Sequence, residues 1–326
     1  MNQISRRDAV LRALSLVWLG GIGLVHADAP QPDQTSTACT VHVTTASYAW
    51  KDDARPYRLA QGRCTPATAP ERLVVALHAG GSDARAMADY TGLDALADDG
   101  RTVVAYPQGD RRVSGLLTWN AGHCCGNAML RNVDDVSYVR GLIVMLRARF
   151  ELPSGAVYLA GLSNGAMLAY RLAASAPQEV AGVIAVAGTV ATSPLPAAAR
   201  LRILHVHGDD DQHVPWLGGT GQRTLSGTEH ASVRDTLQPW VQVTQATQPV
   251  EIVRLAALDD ARTRVTSYRY RDAAGVVRVE LIGIAGGGHT WPGSSRFTGW
   301  LGEANRTMNM NRVMREFMAD ASEMRP

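Results

Sequence analysis

Short, nearly continuous hydrophobic runs alternate with segments of helical periodicity over most of this chain. The runs that we interpret as buried strands are 73–77, 103–106, 156–160, 183–187, 203–207 and 281–285. Strands without polar alternation are typical of a parallel sheet whose two faces are covered by helices. The clearest helix is predicted over 135–150, where apolar residues recur every three to four positions from Val136 to Phe150. The pattern therefore predicts an α/β fold with a doubly wound, mostly parallel sheet.

Further segments extend this sheet and its helical layers. Residues 39–70 are predicted to form an antiparallel edge ahead of the first parallel strand. The runs 265–270 and 276–282 are separated by a short polar turn that ends in glycine, which is typical of a β-hairpin. Helices are also predicted over 233–244 and over 309–319.

The first residues have the composition of an export signal. Arg6 and Arg7 precede an apolar stretch that is short for a membrane span, and small residues near Ala27 offer a cleavage site. The paired arginines suggest twin-arginine export, and the ordinary secretory route fits the pattern nearly as well. We therefore expect residues 1–27 to be a signal peptide and residues 28–326 to form a single domain that is secreted or periplasmic.

Charge and cysteine content narrow the choice of partners and compartment. The formal net charge of +2 gives no reason to expect nucleic acid or an anionic membrane as a partner. An even number of cysteines in an exported protein suggests disulfides, and four cysteines allow three pairings. We favour Cys39–Cys64, which leaves Cys124 and Cys125 as a vicinal pair. The sequence makes no prediction of oligomeric state.

Ser163 lies at the centre of the most informative motif, Gly161-Leu162-Ser163-Asn164-Gly165. This pentapeptide matches G-x-S-x-G, in which a sharp turn between a strand and a helix exposes a serine hydroxyl at the start of the helix. The predicted strand 156–160 precedes the motif, and a helix-forming run follows it. This setting favours a catalytic serine over a structural turn.

A serine nucleophile needs a base that takes its proton and an acid that orients the base. In α/β-hydrolases the acid and then the histidine follow the serine along the chain. The turn Gly208-Asp209-Asp210-Asp211 lies at the carboxyl end of strand 203–207, where catalytic groups collect. Spacing does not decide which of the three aspartates is the acid. His289, in a glycine-rich loop after strand 281–285, is the candidate base.

The oxyanion of a tetrahedral intermediate needs backbone N–H donors. Asn164, directly after the serine, is one predicted donor, and Gly80 in the loop Leu77-His78-Ala79-Gly80-Gly81 is the other. His205 and His207 alternate onto one strand face, where two buried or pocket-lining histidines are favoured over a metal site. We predict no metal and no organic cofactor.

These motifs, in this order, resemble a secreted α/β-hydrolase esterase family that includes polyhydroxybutyrate depolymerase catalytic domains, feruloyl esterases and acetylxylan esterases. The resemblance extends from about residue 73 to residue 317. Besides the motifs above, it is carried by Tyr106-Pro107-Gln108-Gly109, Trp119-Asn120-Ala121-Gly122-His123-Cys124-Cys125-Gly126, Val133-Asp134-Asp135-Val136, Val214-Pro215-Trp216 and Thr290-Trp291-Pro292-Gly293. The family's His-Gly-x-x-Asp-x-x-Val-Pro run places the acid on Asp211. The resemblance likewise implies Ser163 as nucleophile and His289 as base.

The resemblance implies a serine esterase that hydrolyses carboxylic esters through an acyl-enzyme. The expected substrates are feruloyl or acetyl esters of plant polysaccharide, or hydroxyalkanoate esters, small or polymeric. A serine peptidase of the same fold and a non-catalytic ligand-binding protein on a hydrolase scaffold are the alternatives. Trp119, Trp216 and Trp291 lie beside the motifs and are candidates either for the substrate pocket or for the core.

Overall fold

The computed structural model describes residues 38–51, 53–110, 116–190, 195–196, 201–224, 226–294 and 299–322. The predicted signal peptide lies outside these ranges. The strands, β1 to β10, are Ala38–Trp50, Asp53–Thr65, Arg72–Leu77, Thr102–Pro107, Val157–Leu162, Gly182–Val186, Arg202–Gly208, Glu251–Arg254, Arg264–Arg271 and Val277–Ala285. The α-helices, α1 to α6, are Ala84–Thr91, Gly126–Leu130, Asp135–Arg149, Asn164–Ser175, Val233–Val243 and Met310–Ser322.

All ten described strands belong to one sheet, in the order β1-β2-β4-β3-β5-β6-β7-β10-β9-β8. The six central strands, from β4 to β10 in that order, pair in parallel, and antiparallel pairs complete both ends. The predicted mostly parallel α/β sheet is therefore confirmed. Because the central strands are parallel, their carboxyl ends meet at one edge of the sheet, where the loops that carry the candidate site residues begin.

Hydrophobic side chains pack on both faces of the sheet, because successive residues of a strand point to opposite sides. On one face, Val75 belongs to a buried cluster with Leu142 of α3 and Leu168 of α4. On the other face, Val74 belongs to a second cluster that includes Met314 of α6. Burial on both faces explains why the central strands have hydrophobic runs without polar alternation.

The amino-terminal hairpin of β1 and β2 forms one end of the sheet, as predicted for this segment. Its register places Cys39 opposite Cys64, and a disulfide joins the two residues with a Cα–Cα distance of 4.0 Å. The predicted Cys39–Cys64 pairing is thus confirmed. A second disulfide joins the adjacent residues Cys124 and Cys125, across a cis peptide bond.

The predicted hairpin is formed by β9 and β10, and the side chain of Asp272 accepts N–H bonds from the turn at Ala274 and Val276. The predicted helices near 233 and 309 are α5 and α6. Helix α1 and strand β8 had no sequence signal, because α1 is only eight residues long and β8 is a largely exposed edge strand without a buried run. Within the described ranges, no helix combines the length and the hydropathy that crossing a membrane would need.

Candidate active site

Ser163 occupies a strained turn between β5 and α4. Its backbone has φ 56° and ψ −122°, a region that costs a non-glycine residue about 1–3 kcal/mol. A Cβ on Gly161 would overlap the backbone of Gly165, and a Cβ on Gly165 would overlap the carbonyls of Leu77 and His78. Only glycine fits at both positions, so the turn is tight enough to push the serine side chain out of the backbone at the helix N-terminus.

Three side chains from the ends of β5, β7 and β10 meet at this turn. The Nε2 atom of His289 lies 2.8 Å from the Oγ atom of Ser163, and its Nδ1 atom lies 2.7 Å from Oδ2 of Asp211. The side chains of Asp211 and His289 are buried, whereas Ser163 is partly exposed. The geometry is that of a hydroxyl able to pass its proton to a base that a buried carboxylate orients.

Of the three aspartates that follow β7, only Asp211 points at His289. Its other carboxylate oxygen, Oδ1, accepts the backbone N–H groups of His213 at 2.8 Å and Val214 at 2.9 Å. Asp210 is exposed. Asp209 instead accepts the N–H of Gly286 at 2.7 Å, which fastens the loop that carries His289. Asp209 is therefore a support for the base, a contribution that spacing along the sequence did not reveal.

Asp211 is ionised despite its burial. Burial raises the pKa of this carboxyl group, but the charge of His289 and the hydrogen bonds from His207 and His289 outweigh that effect and hold the pKa far below its usual range. A negative charge is thus available beside His289 at any pH near neutrality. The ring of His213 stacks on His289 with a centroid distance of 4.8 Å, and burial lowers the pKa of His213 to about 4. His213 is neutral at pH 7 and adds no charge beside the base.

The loop that delivers His289 is held from two sides. A Cβ on Gly208 would overlap the carbonyl of Gly287, so glycine at position 208 lets the two loops cross. On the other side, the backbone N–H groups of Gly288 and His289 bond the carbonyls of Glu303, at 2.8 Å, and Leu301, at 2.7 Å. These contacts hold the loop that carries the imidazole of His289 in place.

The two predicted oxyanion donors are neighbours. A Cβ on Gly80 would lie 3.5 Å from the Cβ of Asn164, which brings the backbones of the two residues together beside Ser163. The N–H of Gly81 is already bonded to the carbonyl of Leu117 at 2.8 Å, so Gly80 is the better candidate in that loop. The side-chain amide of Asn164 accepts the N–H of Trp119 at 2.7 Å and donates to its carbonyl at 3.0 Å, which fixes the first residue of α4.

His78 makes hydrogen bonds that order the loop 77–81. It is fully buried, donates from Nδ1 to the carbonyl of Ala79 at 2.8 Å and accepts the N–H of Gly109 at Nε2, at 3.0 Å. Burial lowers the pKa of His78 to about 4, so the ring is neutral and makes both bonds. The carbonyl of His78 also accepts the indole N–H of Trp119 at 3.0 Å. His78 thus orders the oxyanion loop without facing the serine.

The candidate pocket tryptophans are placed differently from one another. Trp119 and Trp291 are 0% and 1% exposed and belong to the two core clusters. Trp216 is half-buried, and its ring meets that of His207 edge to face at 6.0 Å. Trp300, which lies in no sequence motif, is 52% exposed and lies 5.5 Å from the ring of His213. Trp300 and His213 therefore lie on the surface beside His289, and neither was predicted as a site residue from the sequence.

A buried ion pair anchors the loop behind the oxyanion donors. Asp135, at the start of α3, accepts the N–H of Asn120 at 2.7 Å and bonds Nη1 of Arg55 at 2.6 Å. The two charged side chains are 0% and 6% exposed. Asn120 directly follows Trp119, so this pair stabilises the segment to which Asn164 is bonded.

Replacing Arg55 with methionine is expected to lower the free energy of unfolding by about 3–5 kcal/mol, because Asp135 would remain buried without its cation. Chemical denaturation followed by circular dichroism measures this. The matched control is Arg85→Met, since Arg85 is 87% exposed in its pair with Asp89; it should cost less than about 1 kcal/mol. Equal losses in the two variants would contradict the assigned role of Arg55.

A group of three possible metal ligands occurs within the described ranges: Asp211, His213 and His289, whose ligand atoms lie within 4.8 Å of one another. Two of these atoms already bond each other in the serine–histidine–aspartate arrangement. His205 and His207 are buried, and Nε2 of His205 lies 3.0 Å from Nδ1 of His207.

Comparisons with known proteins find similarity to esterases. Residues 136–238 match the Phospholipase/Carboxylesterase family. The chain is 27% identical over 281 residues to the "Putative esterase NocK" of Nocardia uniformis subsp. tsuyamanensis, covering 82% of this chain and 77% of that protein. It is 26% identical over 139 residues to "Bifunctional acetylxylan esterase/xylanase XynS20E" of Neocallimastix patriciarum, a match that covers 43% of this chain and 19% of the relative.

Among solved structures, the acetyl xylan esterase from Aspergillus awamori superposes with a TM-score of 0.55 at 14% sequence identity. The match covers 85% of this chain and 99% of that one. At this identity the likeness is one of fold. It agrees with the mostly parallel sheet described above.

Proposed function

We propose that this chain is an esterase of the α/β-hydrolase superfamily, which hydrolyses carboxylic esters through a catalytic triad of Ser163, His289 and Asp211. The observation that carries this proposal is the unbroken series of hydrogen bonds from Oγ of Ser163 through His289 to Asp211, at 2.8 and 2.7 Å. A ligand-binding protein would have no need of a strained serine aligned with a buried acid and base.

In the proposed reaction, Oγ of Ser163 attacks the ester carbonyl carbon while its proton passes to Nε2 of His289. The backbone N–H groups of Asn164 and Gly80 stabilise the negative oxygen of the tetrahedral intermediate. The intermediate collapses when His289 gives the proton to the departing alcohol, which leaves an acyl group on Ser163. Water then attacks the acyl-enzyme while its proton passes to His289, and His289 returns that proton to Oγ of Ser163 as the acid is released. Asp211 stays ionised and stabilises the imidazolium in both halves.

For the substrate, we propose acetyl or feruloyl esters of plant polysaccharide, or hydroxyalkanoate esters. The acetylxylan esterase among the relatives supports the first of these. The half-buried Trp216 and the half-exposed Trp300 near the triad offer flat apolar surfaces to an aromatic acyl group or a sugar ring. We place the protein outside the cytoplasm, secreted or periplasmic, after removal of residues 1–27, with residues 28–326 as one catalytic domain. The Cys39–Cys64 disulfide is consistent with an oxidising compartment.

A panel of substrates tests the proposal: p-nitrophenyl acetate, acetylated xylan, methyl ferulate, a hydroxybutyrate oligomer and a peptide anilide. We expect release of acid from p-nitrophenyl acetate and from at least one of the three natural ester classes. We also expect a fluorophosphonate to label Ser163 stoichiometrically, as identified by mass spectrometry. Hydrolysis of the anilide alone would favour the peptidase, and no turnover or labelling of folded protein would favour the non-catalytic binder.

A further inference from the structure

A row of buried polar side chains leads away from the acid of the triad. The hydroxyl of Tyr170 lies 2.8 Å from Nδ1 of His205, and Nε2 of His205 lies 3.0 Å from Nδ1 of His207. The Nε2 atom of His207 lies 2.8 Å from the carbonyl oxygen of Val214. Tyr170 and His205 are fully buried, and His207 is 1% exposed. We refer to these three side chains as the Tyr170 row.

The carbonyl oxygen of Val214, at the end of the row, determines which atom donates and which accepts in each hydrogen bond of the row. The carbonyl of Val214 can only accept, so Nε2 of a neutral His207 must carry the proton. Nδ1 of His207 is then an acceptor, which requires a proton on Nε2 of His205. Nδ1 of His205 accepts in turn, and the hydroxyl of Tyr170 donates to it. One backbone carbonyl thus specifies two histidine tautomers and one hydroxyl orientation.

The environment supports these protonation states. Burial, and secondarily the neighbouring His207, lowers the pKa of His205 well below its ordinary value, so its ring is neutral. Burial raises the pKa of Tyr170 well above its ordinary value, so the phenol keeps the proton that it donates. Tyr170 and His205 therefore do not titrate near neutral pH.

The row ends at the acid of the triad. Nε2 of His207 also lies 3.4 Å from Oδ2 of Asp211, the oxygen that faces His289. Val214, whose carbonyl His207 binds, donates its own N–H to Oδ1 of Asp211 at 2.9 Å. His207 therefore holds the Asp211 turn at two points. If its proton moved to Nδ1, the lone pair on Nε2 would face a carbonyl oxygen and a carboxylate.

We propose that Tyr170 and His205 are positioning residues, which reinforce the Nε2–H tautomer that the Val214 carbonyl requires of His207 and so help to hold Asp211 in the orientation that His289 needs. Tyr170 lies seven residues beyond Ser163 in the adjoining helix α4. The row therefore links the helix that begins at the nucleophile to the turn that carries the acid. The inference rests on the proposed function only in taking Asp211 as the catalytic acid.

Nitrogen-15 NMR of the histidine rings tests the tautomers in the wild-type protein without any need for activity. Comparing the spectrum with those of the His205 variants below assigns the signals of the row. We expect one protonated and one unprotonated nitrogen in His207, with its long-range coupling pattern identifying Nε2 as protonated. Protonation of both nitrogens, or of Nδ1 alone, would overturn the inference even if the triad assignment is right.

Two variants of His205 test the effect on catalysis. His205→Leu removes the donor to His207, and we expect kcat per titrated active site to fall about tenfold or more with little change in KM, by analogy with the loss when a metal-binding histidine loses the partner that orients its ring. His205→Gln keeps an N–H donor near the position of Nε2 and should recover most of this loss. Tyr170→Phe, which removes only the distal donor, should give a smaller loss of kcat.

Counting active sites by fluorophosphonate labelling separates a lower rate from a smaller folded fraction. A wild-type kcat in His205→Leu, or equal losses in the leucine and glutamine variants, would contradict the positioning role. If ester turnover were absent altogether, the ring spectra of the wild-type protein would still decide the tautomers, so failure of the proposed function and failure of this inference are distinguishable.

Discussion

Replacing Ser163 with alanine is expected to lower kcat for ester hydrolysis by about 10⁴- to 10⁶-fold, because no other hydroxyl is aligned with His289 in the described site. The free energy of unfolding should change by less than about 0.5 kcal/mol, since the partly exposed hydroxyl contributes little to packing and alanine keeps the same strained backbone. Steady-state hydrolysis of p-nitrophenyl acetate and urea denaturation measure the two quantities.

Ser163→Gly extends this test to the backbone. Glycine adopts the positive φ of this turn without strain, so this variant should be as inactive as Ser163→Ala but more stable by about 1–2 kcal/mol. The matched control is Ser175→Ala at the other end of α4, where the hydroxyl bonds only a helix carbonyl and kcat should be unchanged. Activity above about one per cent in purified Ser163→Ala would point to another nucleophile.

Replacing Asp211 with asparagine is expected to lower kcat by about 10⁴-fold with little change in shape. Oδ1 of Asp211 accepts two backbone N–H groups, so the asparagine oxygen will keep that position and its NH₂ group will face His289. Nδ1 of His289 then becomes an acceptor. The ring proton of His289 moves to Nε2, the atom that faces the hydroxyl of Ser163. A protonated Nε2 can no longer accept the serine proton. Stopped-flow measurement of acylation by p-nitrophenyl acetate reads the loss directly.

Asp210→Asn is the matched control, because it makes the same change of charge in the same turn on an exposed side chain; its kcat should stay within twofold.

The low pKa of Asp211 also predicts how the stability of the protein changes with pH. A carboxyl group whose pKa is lowered by folding stabilises the native state above its unfolded pKa of about 4, and this contribution shrinks as the pH falls further. The difference in unfolding free energy between wild type and Asp211→Asn should therefore decrease below about pH 4. A difference that grew on acidification would contradict the assigned ionisation.

Much of the architecture was predictable because its determinants are local. The unbroken apolar runs of β3 to β7 and β10 required burial on both faces, and only a parallel sheet between helical layers provides that. The elbow was equally visible, since its two glycines are demanded by the backbone within one turn. Helix α1 and strand β8 had no signal, because one is short and the other lacks a buried side.

The sequence by itself determined the class of fold and indicated the candidate nucleophile and the candidate base, since turn chemistry and hydrophobic periodicity act over a few residues. It left the choice among Asp209, Asp210 and Asp211 to family resemblance, because three adjacent carboxylates have the same local chemistry. Only the tertiary structure decided which oxygen faces His289, that Asp209 fastens the base loop, and that Tyr170, His205 and His207 form one row. These relations join segments 35 to 78 residues apart, and their distances depend on the order of strands and the packing of α4, which no local pattern encodes.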